Sequence, residues 1–258
     1  MSPGAAPTAD WLVPQWPAPA TVRAVCTTRA GGRSRPPYDS FNLGDHVGDD
    51  PLAVGANRAV LAQALGARPV FLQQVHGSGV VALDVHTPQG TQADACYTQE
   101  AGVACTIMVA DCLPLLYTDA QGSFVAAAHA GWRGLAGHGG VGVLESLHAT
   151  LARPAGEVMV WLGPCIGPQA FEVGDEVRSA FVNVEAEAAS CFRPAPAAGK
   201  WLADLPALAR QRLAALGVTQ VYGNDGSNSW CTVGNPSRFF SHRRDRVSGR
   251  LAACIWRT

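Results

Sequence analysis

Two histidines and one cysteine stand where chemistry is most easily built. His76 follows the apolar run FLQQV, Cys112 follows TIMVAD, and His129 closes SFVAAAH. A side chain set at a strand end is held rigidly and still faces open space. Two imidazoles and a thiolate are a familiar zinc set, and three protein ligands would leave a fourth tetrahedral position open. Their separations are not the short spacings of zinc fingers. On residue type alone, the same residues also read as a buried thiol and two hydrogen-bonded histidines. Without a metal, Cys112 would be a nucleophile and His129 its base. With copper, the three would imitate a blue-copper centre. A multicopper cluster needs more imidazoles, commonly as HxH pairs, and this chain has seven histidines and no such pair.

The elements that must carry these residues follow from pattern. VRAVCTTR reads as a strand and AGGRSRPPYDS as a loop. Pro51 opens a helix through PLAVGANRAVLAQALG that Gly66 ends, since proline suits the first turn and glycine the stop. PVFLQQV and VVALDV read as strands around the turn HGSG. GVACTIMVA, LPLLYTD and SFVAAAHA are apolar strands with short connections. A helix is expected from Val141 to Leu151, then the strand EVMVWLG. FEVGDEVRSAFVN and DLPALARQRLAALG have helical spacing, and RFFSHRR with RLAACIW reads as a final hairpin. Short links between successive strands predict an α+β fold, a layered sandwich of mixed β-sheets flanked by helices. Residues 1–21, rich in Pro and Ala, are expected as an N-terminal surface arm, and residues 22–258 as a single catalytic domain.

Composition narrows the substrate. The 258 residues are 48% hydrophobic and 15% charged, with a formal net charge of −1, so there is no basic field to hold a nucleic acid polymer. A neutral or small anionic substrate fits better. No apolar run reaches membrane-spanning length, and the start has no basic region followed by an apolar stretch. The eight cysteines sit mostly inside apolar runs, without a CxxC pair, which predicts reduced thiols and a cytoplasmic location. Nothing in the sequence calls for an obligate protein partner.

Several blocks are long and unusual: SFNLGDHVGDDPLAVGANR, QQVHG, ADACYT, VADCLPLLYTD, AAHAGWRGL, LGPCIGPQAFEVGDEV and FFSHRRDRVSGR. Together, from about Arg23 to Ile255, they resemble the YfiH-type purine nucleoside phosphorylase family, also called the polyphenol oxidase or laccase-like multicopper oxidase family. The resemblance implies a layered sandwich similar to that of some cysteine-dependent toxins and deamidases. It implies zinc on His76, Cys112 and His129, one ion per chain, with copper as the alternative metal. It implies phosphorolysis of adenosine, inosine and methylthioadenosine, and hydrolytic deamination of adenosine. Purine nucleosides and phosphate are then the partners. A copper polyphenol oxidase, or a cysteine hydrolase editing peptidoglycan precursors, is the alternative.

Phosphorolysis needs cations for phosphate, and Arg29, Arg58 and Arg133 lie in matching blocks. Arg133 follows His129 closely enough to stay near the metal, so Cys112, His129 and Arg133 form the expected catalytic set. Arg58 also reads as a solvated helix face or an N-terminal capping pair, and Arg243 and Arg244 resemble the family's RR block but read equally as structural ion-pair donors. Asp111 reads as a carboxylate that orients a ligand histidine or as a turn cap. The turn GHGGV could offer N–H groups to an anion, and His138 and Trp132 could touch substrate. One departure stands out: His242 replaces the tyrosine of the family's FFSYRR block.

Overall fold

The computed structural model describes residues 10–258; the first nine residues of the expected arm lie outside them. Its strands form three sheets. The first has the order β1–β13–β5–β2, from Val22–Cys26, Leu251–Arg257, Val103–Val109 and Arg68–Phe71. The second has the order β12–β8–β6–β7–β4–β3, from Gln220–Gly223, Val158–Leu162, Leu113–Asp119, Val125–Ala130, Ala95–Thr98 and Val80–Ala82. A small third sheet joins β10 (Phe192–Pro194), β11 (Lys200–Ala203) and β9 (Glu172–Gly174). The sheets are mixed: β2 with β5, β3 with β4 and β12 with β8 run parallel, and the remaining pairs antiparallel.

Side-chain alternation explains the layering. In β5, Val103, Cys105, Ile107 and Val109 face one core, while Ala104 and Met108 face another. In β7, Val125 and Ala127 join that first core, and Ala126, Ala128 and Ala130 turn to the opposite side. The first core therefore lies between the two large sheets. Helix α1 (Pro51–Leu65) covers the outer face of the first sheet through Leu61 and Leu65. On the outer face of the second lie α2 (Trp132–Ala136), α3 (Val143–Leu151), α4 (Asp175–Val182) and α5 (Leu205–Ala215). This is the expected layered sandwich.

Local signals act as their chemistry dictates. Asp50 caps α1 by accepting from Leu52 N at 3.0 Å, and Gly66 ends it at φ 61°, where a Cβ would be strained. Two expectations need correction. FEVGDEVRSAFVN is not one helix: its first residues form β9, and α4 starts only at Asp175, because β9 pairs with β11. The final hairpin is absent. RFFSHRR buries Phe239 and Phe240 and starts the short helix α6 (His242–Asp245), while β13 inserts between β1 and β5. Part of the expected arm packs down: Leu12 exchanges two hydrogen bonds with Cys26 in β1, and Trp11 is buried against Phe41.

Candidate metal centre

The alternation that builds the inter-sheet core also builds the site. His129 continues the face of Val125 and Ala127, so it points between the sheets at their open end. Cys112 sits in the three-residue link where the chain leaves β5 and enters β6, crossing from one large sheet to the other. His76 lies in the loop after β2. The ligand atoms of these three residues all stand within 4.8 Å of one another, and Cys112 Sγ is 3.7 Å from His76 Nε2. Sulfur and nitrogen on one tetrahedral zinc stand about 3.5 Å apart, given ordinary Zn–S and Zn–N bond lengths, so the set fits. Gly131 closes the cradle: a Cβ there would lie 2.8 Å from His76 Cδ2 and 3.0 Å from Cys112 Sγ.

Asp94, one residue before β4, organises the centre, and sequence reasoning missed it. Its fully buried carboxylate accepts from the backbone N–H groups of Val75, His76 and Gly77 at 3.2, 2.9 and 2.7 Å. It also pairs with His129 Nδ1 at 2.9 Å. An ionised carboxylate only accepts, so Nδ1 carries the proton and Nε2 is left as the ligand atom. His76 adopts φ 60°, a left-handed conformation that costs roughly 1–2 kcal/mol without glycine. Hydrogen bonds to a charged acceptor contribute about 1.5–3 kcal/mol each, so the carboxylate outweighs the strain. Burial alone would raise the Asp94 carboxyl, but the bonds from His129 and Gly77 hold it below the usual range.

Asp111, read from sequence as either a ligand-orienting carboxylate or a turn cap, holds backbone and loop instead of a ligand histidine. At φ 98°, it accepts from Thr232 Oγ1 at 2.5 Å and from Arg243 N at 2.6 Å. It fixes the crossing that carries Cys112, but it bonds no ligand histidine. Each strained loop is thus held by its own carboxylate.

Burial raises a thiol, yet the charges and hydrogen bonds of His129 and His76 bring Cys112 down to about 6. Burial lowers an imidazole, but the Cys112 thiolate and Asp94 lift His129 to about 9. The metal-free pair is therefore a thiolate beside an imidazolium, and a metal must displace the proton on His129. The other seven cysteines are buried free thiols.

A cavity of about 460 Å³ opens over these residues, within the range of small-molecule sites. Trp132, Phe171, Ile166 and Leu205 give it an apolar wall, and the rest of its lining includes His46, His242, Arg133, Arg243, Arg246 and Arg250. Arg133 is exposed and lies over the Trp132 ring at 4.5 Å. Arg29 and Arg58 are not at the cavity, contrary to expectation. Arg29 is held by Asp39 and by the carbonyls of Asp39 and Pro236. Arg58 is held by Leu43 O and Asp45 and stacks over Phe71. The two guanidiniums are consumed in bracing loops. His138 also lies away from the cavity, in a tight turn with Val141, and Glu145 takes the N–H of Gly142 that an anion would have used. Arg244 pairs with Asp245, as read from the sequence, whereas Arg243 donates to Glu172 O.

The family model described as multi-copper polyphenol oxidoreductase laccase matches residues 23–258. The chain belongs to that family. A purine nucleoside phosphorylase of Pseudomonas aeruginosa is 53% identical, over 95% of this chain and 98% of its own. The purine nucleoside phosphorylase YfiH of Escherichia coli is 49% identical, with the same coverage. Among solved structures, Neisseria meningitidis protein NMB0706 superposes with a TM-score of 0.90 at 47% identity, over 96% of this chain and 99% of that one. Relatives that match nearly the whole chain thus carry nucleoside-phosphorylase names. No helix among the described residues is long and apolar enough to cross a membrane.

Proposed function

We propose that this chain is a zinc-dependent purine nucleoside phosphorylase that also deaminates adenosine. One observation carries the reading: a cavity sized for a nucleoside joins a two-histidine, one-thiolate donor set to a wall of cations and a wall of apolar rings. The names of the relatives support the substrate class.

His76, Cys112 and His129 would hold the ion. Zinc bound there supplies Lewis acidity at an open position. The donor set favours zinc over a multicopper centre. Among the described residues it is the one group of three or more such side chains close enough to share an ion. The remaining lining histidines, His46 and His242, stand outside that group.

In phosphorolysis a phosphate oxygen bonds to ribose C1′ while the bond from C1′ to the base breaks. The electron pair leaves with the purine, which takes the proton that phosphate gives up, and ribose 1-phosphate remains. The chain's part is to seat phosphate on cations, among which Arg133 is the candidate read from sequence that lines the cavity. Trp132 and Phe171 offer faces for the base. Deamination adds water at the purine carbon bearing the amine and releases ammonia, and needs no phosphate.

Protein purified without added metal should contain near-stoichiometric zinc by elemental analysis. It should form ribose 1-phosphate from inosine only when phosphate is supplied. Zinc-loaded protein that forms none would overturn the reading. A second reading has its own support, because the lowered Cys112 thiol beside His129 would serve a metal-free cysteine hydrolase. Full activity after exhaustive chelation would favour it.

A further inference from the structure

We propose that Arg250, with His46 beside it, is the seat for inorganic phosphate in this cavity, which rests on the phosphorylase reading above. Arg250 lines the cavity and its residue is only partly exposed. Its Nη1 donates to the carbonyls of Ser248 and Gly249 at 2.9 and 3.1 Å. Among the described residues, its Nε and Nη2 donate to nothing, and no carboxylate comes within 4.0 Å of it. Arg29, Arg58, Arg212 and Arg244 each have such an acid, at 3.3, 3.1, 2.8 and 2.7 Å. A guanidinium only partly open to water, with no acid beside it, attracts an anion more strongly than one fully in water. Burial presses the pKa of Arg250 down, against the pull of Cys112 and Asp111. Two unused donors on one planar guanidinium match two oxygens of a tetrahedral oxyanion.

The surroundings are shaped around this side chain. Asn42, fully buried, accepts from Arg250 N at 2.8 Å and from Gly44 N at 2.9 Å, tying the loop to the start of β13. Gly44 has no Cβ where one would stand 2.7 Å from Arg250 Cγ. The same loop brings His46 to the cavity. Asp45 lies 3.5 Å from His46 Nδ1 and is itself gripped by Arg58 at 3.1 Å, while Arg58 Nε holds Leu43 O at 2.9 Å. Arg58, expected from sequence to bind phosphate, is a positioning residue for the loop that presents His46.

The test titrates inorganic phosphate into zinc-loaded protein in a phosphate-free buffer by calorimetry, and separately measures the phosphate KM with inosine as substrate. Arg250→Gln keeps the stem and removes the charge; it should weaken phosphate binding at least about 30-fold and raise the phosphate KM far more than the inosine KM. Gly44→Ala, which crowds Arg250 at Cγ without removing the charge, should act in the same direction by a smaller factor, and decides the matter if Arg250→Gln does not fold. Unchanged phosphate affinity in a folded Arg250→Gln protein overturns the proposal, even if phosphorolysis is intact. So does AMP binding that depends on Arg250 when phosphate binding does not. Phosphate binding that needs Arg250, in a protein that performs no phosphorolysis, leaves this seat standing and removes the phosphorylase reading.

Discussion

His129 and Arg250 line the same cavity but are finished differently. His129 is bonded at its backbone N–H to Asp94 O at 2.7 Å and at Nδ1 to the Asp94 carboxylate, so one atom is left for a ligand. Arg250 is anchored through its backbone N–H and one nitrogen of its side chain, and two donors are left over. The floor of the cavity is thus set before any ion arrives. The cationic wall awaits a group that brings its own geometry. A metal needs three atoms fixed at once, and misplacing one loses the site. An oxyanion with several equivalent oxygens tolerates a looser grip.

If that contrast is right, changes on the floor should be severe and general. Cys112→Ala removes one of three ligands and should abolish both zinc retention and the two proposed reactions, by more than about 1000-fold. Elemental analysis beside both assays checks this, and an active Cys112→Ala enzyme would detach zinc from that reaction.

Asp94→Asn should come next. It keeps the shape but removes the charge that fixes His129 and the loop of His76. Loss of a carboxylate behind a ligand histidine typically costs about 10–100-fold in metal affinity. Three backbone N–H groups would share a weaker acceptor, so the metal-free protein should also lose about 1–3 kcal/mol of stability. Competition with a chelator and urea denaturation of stripped protein measure the two effects. Unchanged metal affinity would show that the floor is not held by Asp94.

Gly131→Ala tests the floor more gently. Its Cβ would press on His76 Cδ2 and Cys112 Sγ, both ligands. Overpacking of this kind typically costs about 1–3 kcal/mol. The loss should appear mainly as weaker zinc binding, since relieving the clash spreads the ligands. A drop in melting temperature with metal affinity intact would mean that the backbone moves instead.

The sequence exposed the floor better than the wall. His76, Cys112 and His129 were legible because each is a metal-competent side chain at the end of an apolar run. Asp94 was not, since an aspartate ahead of a strand reads as an ordinary turn residue. Its role depends on three N–H groups about 18 positions earlier in the chain. Arg29 and Arg58 were misread for a related reason. Residue type says that a guanidinium seeks oxygen, but not whether that oxygen belongs to a substrate or to Asp39 and Leu43. In the fold, the buried strands of the two large sheets were plain, whereas β9 was lost inside a helical pattern, because three residues are too few to show alternation.

The smallest effect is expected at Arg133. Removing a cation that pairs with phosphate costs about 2–5 kcal/mol where the pair is desolvated. Arg133 is exposed at the cavity and rests over Trp132, so water screens it and its contribution should be nearer the range of surface pairs, about 0.2–1 kcal/mol. Arg133→Ala should therefore lower phosphorolysis by no more than about fivefold, with deamination of adenosine affected less, because that reaction uses no phosphate. Initial rates at subsaturating phosphate, with zinc content measured in parallel, provide the check. A loss in Arg133→Ala as large as in Arg250→Gln would mean that Arg133 swings inward and is desolvated when phosphate binds, and the two arginines would then grip one anion together. Equal losses in both reactions, at unchanged zinc content, would instead tie Arg133 to the nucleoside that the two reactions share.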